Sequence, residues 1–346
     1  MKKRVLLGMS GGVDSTASAI LLKKQGYEVV GATMIMYCNQ KIAEDAKKMC
    51  EKLGIEHHIF NYENEFRCQV INKFISEYEN ASTPNPCIEC NKYLKFGAFY
   101  EKAKELDCNY IATGHYAKIE FSPKYKRYVL KKSEEEKKDQ TYFLYLIPKE
   151  ELEHIIFPLQ GYKEKSDTRK LVESMDLEIA KKKDSQEICF IENNNYKEFL
   201  QKNMTSKPKK GNIVLTSGEV LGKHNGLINY TIGQRKGIGI SFKEPLYVVK
   251  LDSAKNEVIV GTEKDLYSNI LYANELNWLT FDKTPDKIEC FAKIRYRAKE
   301  AKAKVYKEEE GKVRVEFLEP QRAITKGQSV VFYDDDGIVL GGGKIL

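Results

Sequence analysis

Val5-Leu6-Leu7-Gly8-Met9-Ser10-Gly11-Gly12-Val13-Asp14-Ser15 decides the reading of this chain. A short apolar run enters a glycine turn, and Thr16-Ala17-Ser18-Ala19-Ile20-Leu21-Leu22 after it reads as a helix. Strand, glycine turn and helix aim backbone N–H groups and the positive end of a helix dipole at one point, which suits a phosphate. Gly11 and Gly12 allow positive φ and close backbone approach. Ser10 and Ser15 offer hydroxyl donors, and Asp14 can orient a loop N–H or a metal-bound water. The turn lacks the Gly-Lys-Ser/Thr of a Walker A loop and does not fit Gly-x-Gly-x-x-Gly.

Outward from this turn, residues 1 to about 115 alternate between strand and helix. Strands are expected at 5–7, 29–34, 55–61 and 110–113, and helices at 15–25, 41–53 and 63–78. The alternation predicts an α/β fold, a Rossmann-like parallel sheet with helices on both faces. Ligands of such sheets sit at the carboxyl ends of strands, where Met34 and Gly114 fall. Residues 117–147 suggest a β-hairpin with a charged tip, and 166–175 a helix. From about 193 short strands and closely spaced glycines (Gly218, Gly222, Gly226, Gly233, Gly237, Gly239) predict a small β domain. Three domains are expected: 1–193, a central β-rich unit at 194–264, and a C-terminal β-barrel-like unit at 265–346.

No apolar run reaches the roughly 18 residues of a membrane span. The stretch after the basic start Met1-Lys2-Lys3-Arg4 is too short for a signal peptide, so a cytoplasmic enzyme with no membrane partner is expected. Eight cysteines without an export signal argue against a disulfide framework. A net charge of +7 is compatible with a polyanion partner without demanding one.

Thr83-Pro84-Asn85-Pro86-Cys87-Ile88-Glu89-Cys90-Asn91 holds a Cys-x-x-Cys pair, expected just before a helix that begins near Asn91. A helix dipole there lowers a thiol pKa, and Lys92 and Lys95 add positive charge. A buried pair or half a zinc site is the plainer reading, but no second close pair completes a four-cysteine zinc site. Cys189 follows the basic and polar stretch 181–187 and enters an apolar patch; taken alone it reads as a core cysteine. Lys138, Asp139 and Gln140 can reach a phosphate or a base edge. Tyr230-Thr231-Ile232-Gly233-Gln234-Arg235-Lys236-Gly237 places hydroxyl, amide and cationic groups on a tight turn. Between 293 and 307 seven basic residues stand against Glu300 alone. Strand geometry there puts Lys293, Arg295 and Arg297 on one face, an RNA-backbone surface or an ordinary solvated strand.

Ser10-Gly11-Gly12-Val13-Asp14-Ser15 resembles the PP-loop of ATP pyrophosphatases, which split ATP between the α and β phosphates. Seven further blocks extend the likeness from Gly8 to Gly343: Thr83–Asn91, Ala112-Thr113-Gly114-His115-Tyr116-Ala117, Lys138-Asp139-Gln140-Thr141-Tyr142-Phe143-Leu144, Ile188-Cys189-Phe190-Ile191, Tyr230–Gly237, Ile294-Arg295-Tyr296-Arg297 and Gly327-Gln328-Ser329. In this order they resemble the tRNA-specific 2-thiouridylases, the MnmA/TrmU family. The resemblance implies an enzyme that adenylates the wobble uridine (U34) of tRNAs for Lys, Glu and Gln with ATP and Mg²⁺. Sulfur from a cysteine persulfide then replaces AMP.

Carried over residue by residue, Cys189 bears the persulfide, delivered by a cysteine desulfurase or a sulfur-relay protein. Cys90 is the nucleophile that ends disulfide-bonded to it. Gly8, Met9, Ser10, Gly11, Gly12, Val13, Asp14, Ser15, Met34 and Gly114 contact ATP. Asn85, Pro86 and Cys87 contact the target base, and His115, Lys138, Asp139, Gln140, Arg295, Tyr296 and Gln328 the tRNA.

Cys87 departs from the family, many members of which carry an aspartate there as a proposed acid/base. A thiol titrates at about 8.5 against about 3.9 for Asp, so it is a different acid/base. Cys87, Cys90 and Cys189 also make a set able to hold a [4Fe–4S] cluster with one open iron. Two other classes stay open: a different PP-loop ligase, which needs no cysteines, and an RNA-binding module with a relic nucleotide site.

Overall fold

The computed structural model describes residues 3–37, 40–162, 165–173, 188–205, 207–309 and 311–346. The basic and polar stretch 181–187 lies outside them, as do the last two residues of the helix expected at 166–175.

The amino-terminal sheet is formed by β1 (Arg4–Gly8), β2 (Glu28–Ile35), β3 (Glu56–Asn61) and β4 (Tyr110–Ala112). A hairpin of β5 (Lys118–Ser122) and β6 (Arg127–Lys131) follows, then β7 (Ile155–Ile156). The sheet order is β3-β2-β1-β4-β7, every pair parallel. Its central strand is apolar on both faces: Leu6 packs towards Phe96 and Phe99, Val5 and Leu7 towards Ala17 and Ile20. That burial explains a continuous apolar run in place of alternation. Helices α1 (Val13–Lys24) and α2 (Gln40–Leu53) follow β1 and β2.

Two longer helices correct the expectation in detail. The 63–79 helix contains a π-helical turn at Arg67–Ile71 between Glu63–Phe66 and Asn72–Glu79. The second begins at Pro86, not near Asn91, and runs to 105 through another π-helical stretch, Asn91–Ala98. Asn85 caps it, its side-chain oxygen accepting from the Cys87 N–H at 3.2 Å. Proline is suited to the first helical position because its missing N–H would be unbonded there anyway. Cys87 and Cys90 are therefore inside the helix.

The middle of the chain carries β8 (Gly211–Leu215), β9 (Val220–His224), β10 (Tyr247–Asp252) and β11 (Glu257–Gly261), in the order β10-β11-β8-β9. The last part closes a six-stranded barrel from β12 (Tyr267–Trp278), β13 (Lys287–Lys293), β14 (Ala301–Lys307), β15 (Val313–Arg322), β16 (Ser329–Tyr333) and β17 (Val339–Ile345). The mixed α/β architecture with a carboxyl-terminal barrel agrees with the sequence. The basic strand face does not. β13 ends at Lys293 and its pairing with β14 stops at Ala292↔Ala301. Residues 294–297 turn instead: Arg295 donates to the Arg322 carbonyl at 3.0 Å, and Tyr296 packs on Phe143 with centroids 4.4 Å apart.

The barrel shares a core with the amino-terminal sheet, since Leu279, Val331, Tyr333 and Val339 belong to the cluster that holds Leu6, Phe96 and Phe99. Asn277 donates to the Tyr145 and Ile147 carbonyls at 2.7 and 3.0 Å. No helix among the described residues is long and apolar enough to cross a membrane.

Candidate active site

The turn after β1 is tight because neighbours leave no room for a side chain. Gly11 sits at φ +61°, and a Cβ on it would stand 2.8 Å from Asp45 Cβ. A Cβ on Gly114 would meet the Asp14 backbone carbon at 3.1 Å and Ser15 N at 3.2 Å. One on Gly8 would lie 3.5 Å from Met34 Cε. The carboxyl ends of β1, β2 and β4 thus meet at the amino end of α1. Inside the turn the Ser10 N–H donates to Ser15 Oγ at 3.3 Å, and Ser15 Oγ donates to the Gly12 carbonyl at 3.1 Å. Met9 is fixed by its N–H to Ala32 O (2.7 Å) and its carbonyl to Thr33 Oγ1 (2.9 Å). Gly12 precedes α1 with no side-chain cap, so the first N–H groups of that helix are offered to a ligand.

Asp14 accepts from the Tyr116 hydroxyl at 3.0 Å. Tyr116 is buried, and its backbone is clasped by Gln140: its N–H donates to Gln140 Oε1, and its carbonyl accepts the Gln140 N–H, both at 2.9 Å. Sequence reasoning assigned Tyr116 no role, although it stands inside the 112–117 block.

The cysteines gather on the same side of the sheet. Cys90 is buried and its thiol lies 3.6 Å from Met36 Sδ, just past the carboxyl end of β2. Cys87 and Cys189 are exposed, and Cys90 lies within electrostatic range of both. Cys189 is positioned by its neighbour. The buried Phe190 ring packs edge-on against Phe66 and Phe74 at 5.6 and 5.4 Å and against Phe199 at 5.1 Å. A ring so buried is worth about 3–5 kcal/mol against alanine.

Burial reverses the expected thiol chemistry. It pushes the Cys90 thiol up to about 12, with the Lys95 ammonium opposing. Cys87 and Cys189 each keep an exposed face, yet partial desolvation raises both thiols, with Lys95 again opposing. The helix-end lowering expected at the pair loses to desolvation, which disfavours the thiolate. Lys95 also faces His115, whose pKa burial and that charge drive well below the usual histidine value. Among the described residues Lys95 makes no ion pair. Lys92 points elsewhere, over the Tyr93 ring at 4.9 Å.

The expected Cys90–Cys189 disulfide is not formed: both are free thiols here. Among the described residues no three His, Cys, Asp or Glu side chains converge to hold a metal ion. Cys87, Cys90 and Cys189, the set expected to hold a [4Fe–4S] cluster, do not converge as such a group.

The residues expected to face tRNA divide. Lys138, Arg295 and Gln328 keep partial exposure. Asp139 is buried, accepting from Thr141 Oγ1 at 2.7 Å and the Ser133 N–H at 3.2 Å. Gln328 donates to the Thr83 carbonyl at 2.7 Å. His115 shares a 2.7 Å hydrogen bond with Thr113 Oγ1 and packs between Phe96 and Phe157.

Residues 3–193 match a family described as tRNA methyl transferase HUP domain, 197–262 the tRNA methyl transferase PRC-barrel domain, and 268–345 the aminomethyltransferase beta-barrel domain. The chain is similar to the tRNA-specific 2-thiouridylase MnmA of Clostridium beijerinckii, 46% identical over 358 residues covering 100% of this chain and 99% of that one. The same-named protein of Acetivibrio thermocellus is 47% identical over 358 residues, covering 99% of each. That of Clostridioides difficile is 44% identical over 357 residues, covering 100% of this chain and 98% of its own. With matches running the length of both partners, the chain belongs to the tRNA-specific 2-thiouridylase family.

Proposed function

We propose that this enzyme converts the wobble uridine of tRNAs for Lys, Glu and Gln to 2-thiouridine, using ATP to activate the base and a cysteine persulfide to deliver sulfur. One observation carries the reading: Cys90 lies against Met36, past the β2 end whose Met34 borders Gly8 of the phosphate loop. Activation and sulfur delivery then share one cleft.

ATP lies with its phosphates on the N–H groups after Gly11 and its charge against the α1 amino end. The hard oxygen donors here, Asp14, Ser10 and Ser15, suit the Mg²⁺ that ATP carries, which would neutralise the phosphate charge. Met34 and Gly114 flank the nucleotide. Asn85, Pro86 and Cys87 present the base, and Lys138, Arg295 and Tyr296 hold the RNA around it. Uridine O2 attacks the α-phosphate and pyrophosphate leaves. The terminal sulfur of a Cys189 persulfide then adds to C2, and AMP departs with the C2–O2 electron pair. Cys90 thiolate attacks Cys189 Sγ; the S–S pair passes to the sulfur on C2, giving the thiocarbonyl and a Cys90–Cys189 disulfide. A thiol reductant reopens the disulfide, and a cysteine desulfurase or sulfur-relay protein reloads Cys189. A thiolate is among the strongest nucleophiles a side chain supplies, and Lys95 is the cation placed to favour it. Cys87 stands beside the base where an acid/base is wanted.

The test is mass spectrometry of tRNA nucleosides after incubation with enzyme, ATP, Mg²⁺ and a desulfurase with cysteine. 2-Thiouridine dependent on ATP and on Cys90 is expected. Its absence beside a working control enzyme sinks the reading.

A further inference from the structure

The Cys-x-x-Cys segment is tied to the carboxyl-terminal barrel at both of its ends. At the upstream end the Thr83 N–H donates to the Lys326 carbonyl at 2.8 Å, and the Thr83 carbonyl accepts the Gln328 side-chain amide at 2.7 Å. Gly327, between those two partners, has φ +87°, and a Cβ on it would stand 2.9 Å from Thr83 N. The barrel loop therefore approaches this backbone as closely as a glycine allows.

At the downstream end the tie is ionic. Glu89, the residue before Cys90, lies 2.8 Å from Lys73 Nζ on the 63–79 helix. Lys73 Nζ lies 3.7 Å from Glu275 of β12. Glu275 lies 3.5 Å from Lys344 of β17, which also pairs with Glu77. The β12–β17 register slips between Asn274 and Asn277, and Glu275 takes φ +48° there, a conformation that L residues rarely adopt. The carboxylate of Glu89 is only 15% exposed, and its Oε2 is buried without a hydrogen-bond partner among the described residues. A half-satisfied buried charge is costly to keep, and apolar packing would join these elements more stably. A crevice of about 40 Å³ runs along this seam, lined by Lys73, Glu77, Asn85, Glu89, Glu275 and Lys344 among others.

We propose that the barrel sets the position of Cys90 for the sulfur step, with Glu89 and Gln328 as the two positioning residues that hold the cysteine-bearing helix. This rests on the thiolation reading above. The barrel is then more than an RNA surface: through Lys73–Glu275 and Gln328–Thr83 its placement reaches the helix that bears the nucleophile. The phosphate loop has no part in either tie, so the two halves of the reaction respond differently to their loss.

The experiment uses the full chain with tRNA, ATP and persulfide-loaded enzyme. It measures pyrophosphate release and 2-thiouridine formation in the same samples, together with thermal melting. Glu89→Gln keeps the shape and removes the charge. It is expected to lower thiouridine formation about tenfold or more while pyrophosphate release stays within about twofold, since a displacement near 1 Å costs that much. Gln328→Glu cannot donate to the Thr83 carbonyl and is expected to lower the thiouridine formed per pyrophosphate released in the same way, whatever it does to the KM for tRNA. Equal loss of both products, or no loss in either, overturns the role of Glu89. A raised KM for tRNA with an unchanged product ratio makes Gln328 an RNA contact and overturns its tie. Should Glu89→Gln melt before assay temperature, Gln328→Glu decides alone. A wild type that releases pyrophosphate yet makes no 2-thiouridine fails the parent reading instead.

Discussion

The phosphate loop and the cysteine cleft share one sheet end but are held by different means. The loop is backbone: glycines pressed against Asp45, Asp14 and Met34, with hydroxyls returning to its own carbonyls. The cleft is side chains from distant segments, Cys87 and Cys90 on one helix and Cys189 beside a plugged phenylalanine ring. A backbone site is complete as folded. In the cleft, desolvation raises the thiols, and their reactivity depends on what arrives. ATP activation and sulfur delivery should therefore separate under mutation.

The hardest break is Cys90→Ser. Thiouridine formation should fall by roughly three orders of magnitude or more, as when other nucleophiles are removed, while pyrophosphate release persists in the same assay. A joint loss would mean the halves are not separable.

Next in size is thiol titration. Burial raises the Cys90 thiol from the free value near 8.5 to about 12, so the reactive thiolate is scarce below both values and grows with pH through that window. Alkylation of Cys90 by iodoacetamide, followed by peptide mass spectrometry in the free enzyme, should still climb between about pH 9 and pH 11, where an ordinary thiol has levelled off. A plateau near pH 8 would show that desolvation does not govern the cleft.

On the loop side, Gly11→Ala places a methyl 2.8 Å from Asp45 Cβ at a φ of +61°. The KM for ATP should rise about a hundredfold, the cost of misplacing a reacting group by about 1 Å, with Cys90 alkylation unchanged. The mildest test is Tyr116→Phe, which removes only the hydroxyl on Asp14. About a tenfold rise in the KM for ATP is expected, the low end of what a hydrogen bond to a carboxylate is worth, about 1.5 kcal/mol. No change would remove Tyr116 from the loop's support.

Local chemistry explains what the sequence made legible. The 8–15 turn declares itself because strand, glycines and helix lie within one short stretch. The 86–105 helix starts before the expected Asn91 because Pro86, after a capping Asn85, initiates it. The face of Lys293, Arg295 and Arg297 failed because alternation cannot say where a strand stops. The Phe143 ring and the Arg322 carbonyl draw the chain out of β13. Asp139 reads from sequence as able to reach a phosphate or a base edge, yet it ties down a buried turn whose partners sit two and six positions away. The thiol shifts depend on long-range burial, which no spacing reveals.

The core common to the barrel and the parallel sheet makes those two a single folding unit although they are far apart in the chain. Leu279, Val331, Tyr333 and Val339 cover the same apolar interior as Leu6 and Phe96. Shortening the chain before β12 would leave that interior facing water and the Thr83 backbone without its partners. The amino-terminal half expressed alone should be prone to clump and poor at holding its cysteines in place, so nucleotide binding and sulfur handling are best studied in the intact chain.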